Sequence, residues 1–211
     1  MGQSSDTIER EKFSTLVSTA VPLKGENIDT DQIIPARFLK AVSREGFGEN
    51  LFYDWRFDAK NNPIKEFVLN DPRFSGKILI TEKNFGCGSS REHAAWALQD
   101  YGFKVIVSNS FADIFTNNAL NIGLLPVQVS DKFLNEIFAA VETNNREMIS
   151  VDLPNQLISV KNISEKFKIN PYRKTCLLNG FDTVEFLISK RNEIGQYEKK
   201  SKAVQLILKQ Y

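Results

Sequence analysis

The stretch Asn84-Phe85-Gly86-Cys87-Gly88-Ser89-Ser90-Arg91-Glu92-His93-Ala94 gathers the groups in this chain best suited to chemistry. Two glycines permit a tight turn, two hydroxyls follow, and an arginine stands where a helix would begin. A helix N-terminus carries unpaired N–H groups and a partial positive charge, so carboxylates and phosphates bind there. Arg91 adds a planar fork that suits a bidentate carboxylate. In that positive field Ser89 could act as an oxygen base, provided the site stabilises its anion strongly. The same spacing supports a second reading. Ser89 and Glu92 are set as Ser-x-x-Glu, a capping box in which the glycines merely turn the chain. Spacing alone leaves both readings open.

Other chemistries fit poorly. Gly86-Cys87-Gly88-Ser89-Ser90 is not the Gly-x-Ser-x-Gly elbow of hydrolases, and it lacks the Lys-Ser/Thr ending of a phosphate-binding loop. Cys87 lies near a helix start, which can activate a thiol, but a small buried or tuning residue is the better reading. His93, the single histidine, reads as a packed or supporting side chain. Two cysteines, Cys87 and Cys176, are too few to ligate an iron–sulfur cluster, and one histidine adds little toward a zinc site, so no metal is expected on this chain. They also exclude a disulfide framework. A net charge of +1 gives no reason to expect nucleic-acid or membrane binding.

These groups need elements to hold them. With 211 residues, 42% hydrophobic and 25% charged, the chain reads as one domain over 1–211 with a sizeable core. About 1–13 reads as a loose N-terminal segment and about 181–211 as a C-terminal helical extension. Strand and helix alternate in the middle. Lys77 to Thr81 reads as a strand. The helix from Glu92 to Tyr101 has Ala94, Ala97, Leu98 and Tyr101 on one stripe, and Phe103 to Val107 is the next strand. Ser110 with Asp113 looks like a helix cap, Leu124 to Val129 a third strand, and Ser130 or Asp131 opens a helix bearing Phe133, Leu134, Ile137, Phe138 and Val141. This alternation argues for partly parallel pairing. Upstream, Thr15 to Leu23 reads as one strand. Gly46 to Asp58, rich in aromatics, reads as a short helix or lid. Downstream come three short strands between 148 and 169, and a capping box of Asp182 with Glu185. The polar N-terminus has no apolar signal core and no apolar run could span a membrane, so a cytoplasmic setting is expected.

Gly86-Cys87-Gly88-Ser89-Ser90-Arg91-Glu92-His93-Ala94 resembles the signature of the aconitase swivel domain. Cys87 with Asn84-Phe85 is similar to the small subunits of bacterial 3-isopropylmalate dehydratases. So are Asp29-Thr30-Asp31-Gln32-Ile33-Ile34-Pro35-Ala36-Arg37-Phe38-Leu39, Asp100-Tyr101-Gly102-Phe103, Asn109-Ser110-Phe111-Ala112-Asp113-Ile114-Phe115 and Cys176-Leu177-Leu178-Asn179-Gly180. The resemblance implies an α/β swivel domain with mixed β-sheet layers (β/β/α) and flanking helices. It implies a hydro-lyase of leucine biosynthesis that interconverts 2-isopropylmalate and 3-isopropylmalate through 2-isopropylmaleate. It also implies a heterodimer: the large subunit carries a 4Fe-4S cluster, and this chain binds no cofactor. A related small subunit acting on citraconate/citramalate or homoaconitate is the alternative within the resemblance. By motif position Ser89 matches the catalytic base, and Ser90, Arg91 and Arg37 match substrate-binding positions for a small dicarboxylate. Asp29 and Asp31 would orient those cations. Cys87 stands where aconitase itself has an acidic residue, which favours the isopropylmalate branch. Phe38 and Leu39, beside Arg37, would either wall the isopropyl group or pack into the core. The loops 29–39 and 84–91, half of a site without its partner, are expected to be mobile.

Overall fold

The computed structural model describes residues 10–39 and 46–208, with side chains through residue 200. The expected strand from Thr15 to Leu23 is two strands, β1 (Thr15–Ser18) and β2 (Ala20–Leu23), and they enter different sheets. The break falls at Thr19. Its hydroxyl donates to the Ser75 carbonyl at 2.6 Å, and the Ser18 hydroxyl accepts from the Lys77 amide at 2.9 Å. These bonds turn the chain from one layer to the other.

After β2 the chain forms α1 (Thr30–Ile33) and α2 (Tyr53–Arg56), then β3 (Ile78–Thr81), α3 (Glu92–Asp100), β4 (Val105–Ser108), α4 (Asp113–Ile122), β5 (Leu125–Gln128) and α5 (Asp131–Thr143). Strands β2-β3-β4-β5 make one parallel sheet in that order. Parallel sheets are usually covered on both faces, and the strands Ile-Leu-Ile-Thr and Val-Ile-Val-Ser are buried at every position. On one face Leu79 and Ile106 meet Ala94, Ala97 and Leu98 of α3 and Phe115 and Ala119 of α4. On the other face Ile78, Ile80, Val105, Val107 and Val127 meet Leu134, Ile137 and Val141 of α5.

The second sheet is antiparallel. It comprises β6 (Ile149–Asp152), β7 (Leu157–Val160) and β8 (Ile163–Lys166), with β1 on the edge beside β6. Its Ile149, Val151, Ile158 and Val160 share the α5 core. The chain ends in α6 (Pro171–Asn179), α7 (Thr183–Ser189) and α8 (Arg191–Leu208), with the expected capping box of Asp182 and Glu185 formed at α7. The layers are therefore α3 and α4, the parallel sheet, then α5 with the antiparallel sheet. No described helix is long and apolar enough to cross a membrane.

Candidate active site

Open parallel sheets bind ligands outside the carboxyl ends of their strands. The glycine-rich turn lies there, after β3, between the loops that follow β2 and β4. Hydrogen bonds zip these three loops into an extension of the sheet. The Gly86 amide donates to the Ile28 carbonyl at 2.8 Å, and the Thr30 amide to Cys87 at 2.9 Å. On the other side the Phe85 amide donates to Ser110 at 3.2 Å, and Ala112 donates back to Phe85 at 3.0 Å. Asn27 and Asn84 both adopt left-handed backbone, with φ 55° and 58°, and their side-chain amides bond to each other at 2.8 Å. Asparagine tolerates that conformation better than other residues with a side chain. Ser110 differs from expectation. Ala112 is the N-cap of α4 and makes no side-chain cap, while the Ser110 hydroxyl accepts from the Asn84 amide at 2.8 Å. The serine is spent on the loop junction instead.

Gly86 has φ +76°, and a Cβ there would sit 2.3 Å from the Phe115 ring. The turn is thus pressed onto α4 with no room for a side chain. Gly88, at φ +91°, then swings the chain outward. Ser89 and Ser90 stand exposed, and neither hydroxyl has a hydrogen-bond partner among the described residues. The Arg91 amide closes back onto the Ser89 carbonyl at 2.9 Å. The Ser89–Glu92 capping box is absent. Helix α3 starts at Glu92, its N-cap is Arg91 with φ −117° and ψ 110°, and no side chain caps it. The first N–H groups of this nine-residue helix are left for solvent or a ligand.

The Arg91 side chain is only 19% exposed and pairs with Asp31, which is 54% exposed. Asp29 makes no ion pair among the described residues. It caps α1, accepting from the Gln32 amide at 2.8 Å while Gln32 returns the bond to the Asp29 amide. Arg37 lies on a single 3₁₀ turn, Ala36–Phe38, and pairs with Asp54 of α2 rather than with either aspartate of its own loop. Its guanidinium lies 4.6 Å from the Phe38 ring centroid and 5.4 Å from that of Tyr53. A cleft of about 550 Å³ opens beside it, lined by Phe38, Tyr53, Phe57 and Asp58. No hydrogen bond or ion pair joins Arg37 to the Ser89–Arg91 turn among the described residues.

Cys87 donates to the Asn27 carbonyl at 3.3 Å. Burial, and then the negative charge of Asp29, push its thiol pKa up, so it stays protonated and is a poor nucleophile. His93 packs between Phe47 and Trp96, at centroid distances of 5.4 and 4.6 Å. Among the described residues no three His, Cys, Asp or Glu side chains gather where they could hold a metal ion. Cys176 is buried in α6, away from the turn. Two separated cysteines do not fit a four-iron cluster, which takes three or four thiolates.

Residues 10–132 match the model of the aconitase C-terminal domain family. A 3-isopropylmalate dehydratase small subunit from Christiangramia forsetii is 59% identical over 192 residues, covering 90% of this chain and 94% of the relative. One from Cytophaga hutchinsonii is 57% identical over 199 residues, covering 93% and 99%. The chain belongs to the family of 3-isopropylmalate dehydratase small subunits. The dehydratase family is one of hydro-lyases, and its aconitase-type swivel fold is present. The crystal structure of a 3-isopropylmalate dehydratase from Methanocaldococcus jannaschii superposes with a TM-score of 0.61 at 26% identity, covering 88% of this chain and 99% of that one.

Sequence reasoning assigns no role to three residues in this member of the dehydratase family. Asn27 and Asn84 carry a weak signal, since each is an asparagine in a polar loop next to a strand. Asp54 carries none, because it meets Arg37 across seventeen positions and two separate elements.

Proposed function

We propose that this chain is the small subunit of an isopropylmalate isomerase, interconverting 2-isopropylmalate and 3-isopropylmalate in leucine biosynthesis. It works as a heterodimer with a large subunit that carries a 4Fe-4S cluster, in the cytoplasm. The observation that carries the reading is the unpaired Ser89 hydroxyl on the exposed turn before α3, next to Arg91. This chain's own residues do not hold the cluster, so what it contributes is binding and proton transfer.

The substrate is a dicarboxylate. One carboxylate would bind at the Ser90–Arg91 end of the turn, through the uncapped helix N–H groups and the Arg91 fork. Arg37 serves the other. Ser89 takes the proton from the carbon alpha to a carboxylate and returns it in the opposite direction. A serine alkoxide is far too basic to persist at neutral pH unaided, so the positive helix end and Arg91 must stabilise it once the partner has excluded water.

Reconstitution tests this directly. The isolated subunit is expected to be inactive, and the mixture with its cognate cluster-bearing large subunit active on 3-isopropylmalate and much weaker on citramalate. In that complex Ser89→Ala is expected to lower kcat by about 10²- to 10⁴-fold, the usual contribution of a positioned base. Near-normal turnover by that variant would remove Ser89 from the base role.

A further inference from the structure

Arg37 is not a free side chain waiting for an anion. Its Nη1 donates to Asp54 Oδ2 at 3.0 Å, and Nη2 pairs with Oδ1, so both terminal nitrogens grip one carboxylate. The guanidinium also lies against Phe38 and Tyr53, whose rings are 4.9 Å apart. Three groups, one carboxylate and two rings, thus fix its plane and direction. An arginine has five N–H donors, and an end-on pair leaves the Nε edge unused.

The segment that delivers Asp54 is built for rigidity. The Phe52 amide donates to the Ile33 carbonyl at 2.8 Å, which pins α2 to α1. The Phe52 ring is fully buried and stacks on Trp55 at 5.6 Å. Arg56 ties the end of α2 to the carbonyls of Glu49 and Leu51 at 3.2 and 3.3 Å. Phe52 itself adopts φ 48° and ψ 37°. Left-handed backbone is costly for a bulky side chain, and such strain persists only where the surroundings impose it. As the N-cap of α2, Phe52 sets the direction in which that helix departs from the turn at Gly48–Asn50, and on that helix Asp54 meets Arg37.

We propose that Asp54 is a positioning residue for substrate recognition: with Phe38 and Tyr53 it holds the Arg37 guanidinium so that the free Nε edge faces the cleft and receives a substrate carboxylate. This rests on the reading of Arg37 as a substrate-binding arginine. The advantage is preorganisation. A long side chain ordered before binding loses little freedom when substrate arrives.

The test is steady-state kinetics of the reconstituted heterodimer with 3-isopropylmalate, using Asp54→Asn, Asp54→Glu, Arg37→Lys and the double variant. Asp54→Asn is expected to raise KM about two- to fivefold with kcat changed by less than about 1.5-fold, the scale of one exposed charge pair. Asp54→Glu should recover most of that loss. In an Arg37→Lys background Asp54→Asn should add nothing, because its effect runs through Arg37. If Asp54→Asn left KM unchanged or lowered it, or if its effect added fully to that of Arg37→Lys, Asp54 would not be positioning Arg37, and Arg37 would keep its own role. If Arg37→Lys left KM unchanged, the reading of Arg37 would fail first, and the role of Asp54 with it.

Discussion

A serine is a base only where its surroundings make it one, so the groups around Ser89 matter more than its identity. Arg91 is mostly buried yet has its partner, Asp31, on the exposed side, which holds the guanidinium near the turn without closing it off. Arg91→Lys keeps the charge and loses the fork. In the reconstituted enzyme it is expected to raise KM about tenfold or more, the loss of one charge-assisted hydrogen bond, while kcat changes less. Steady-state kinetics would show this, and an unchanged KM would remove Arg91 from the binding site. Asp54 gives a second observable. The hydrogen bonds from Arg37 hold its carboxyl below the ordinary range, ahead of the opposing effect of burial. A lowered carboxylate pKa means the pair's stabilisation is present above the unfolded value of about 4 and is lost as pH falls through the folded value. Carboxyl NMR titration is expected to show Asp54 titrating lower in the wild type than in Arg37→Lys. The pair is half exposed, so its effect on overall stability should be small. The glycine-rich turn before α3 was legible because its residue types and spacing are local. Asp54 was not, since an ion pair between two loops leaves no periodic trace.

At the scale of elements, the site depends on three loops behaving as one. The βα alternation from β3 to α5 was legible because each strand and helix writes its own period into the sequence. The break at Thr19 was not, because it depends on which sheet each half of the segment joins. The Ser89–Glu92 capping box failed for a related reason. Gly86 and Gly88 carry positive φ, the chain leaves the α4 surface after Gly88, and the helix begins three residues after Ser89. Gly86→Ala probes that geometry. The new methyl would meet the Phe115 ring, and alanine resists φ +76°, so both effects act in one direction. A loss of about 2–4 kcal/mol is expected in chemical denaturation of the isolated subunit. Activity of the reconstituted enzyme should fall further than stability alone explains, because the turn carrying Ser89 must shift. A loss below about 0.5 kcal/mol would show that the turn is not pressed against α4.

For the whole molecule, the question is whether two sheets and two cores unfold as one body. The parallel sheet is shared by both cores. Its Ile78, Ile80, Val105 and Val107 face α5, while Leu79 and Ile106 face α3 and α4 beneath the glycine-rich turn. Helix α5 completes the first core and also touches the antiparallel sheet, so it joins layers that are far apart in sequence. Ile137 is fully buried in it. Truncating Ile137 to alanine is expected to cost about 2–5 kcal/mol, a transfer loss plus a cavity. Two probes can then be compared. Circular dichroism reports all helices and strands. The chain's only tryptophans, Trp55 and Trp96, pack against the other core, on the side of the candidate site. Because the parallel sheet lies between them, the fluorescence midpoint should fall with the dichroism midpoint by the same amount in denaturant. If fluorescence kept its wild-type midpoint while dichroism moved, the α5 core and the α3–α4 core would be separate units. The site would then be held by its loops and α3 alone, and not by the fold as a whole.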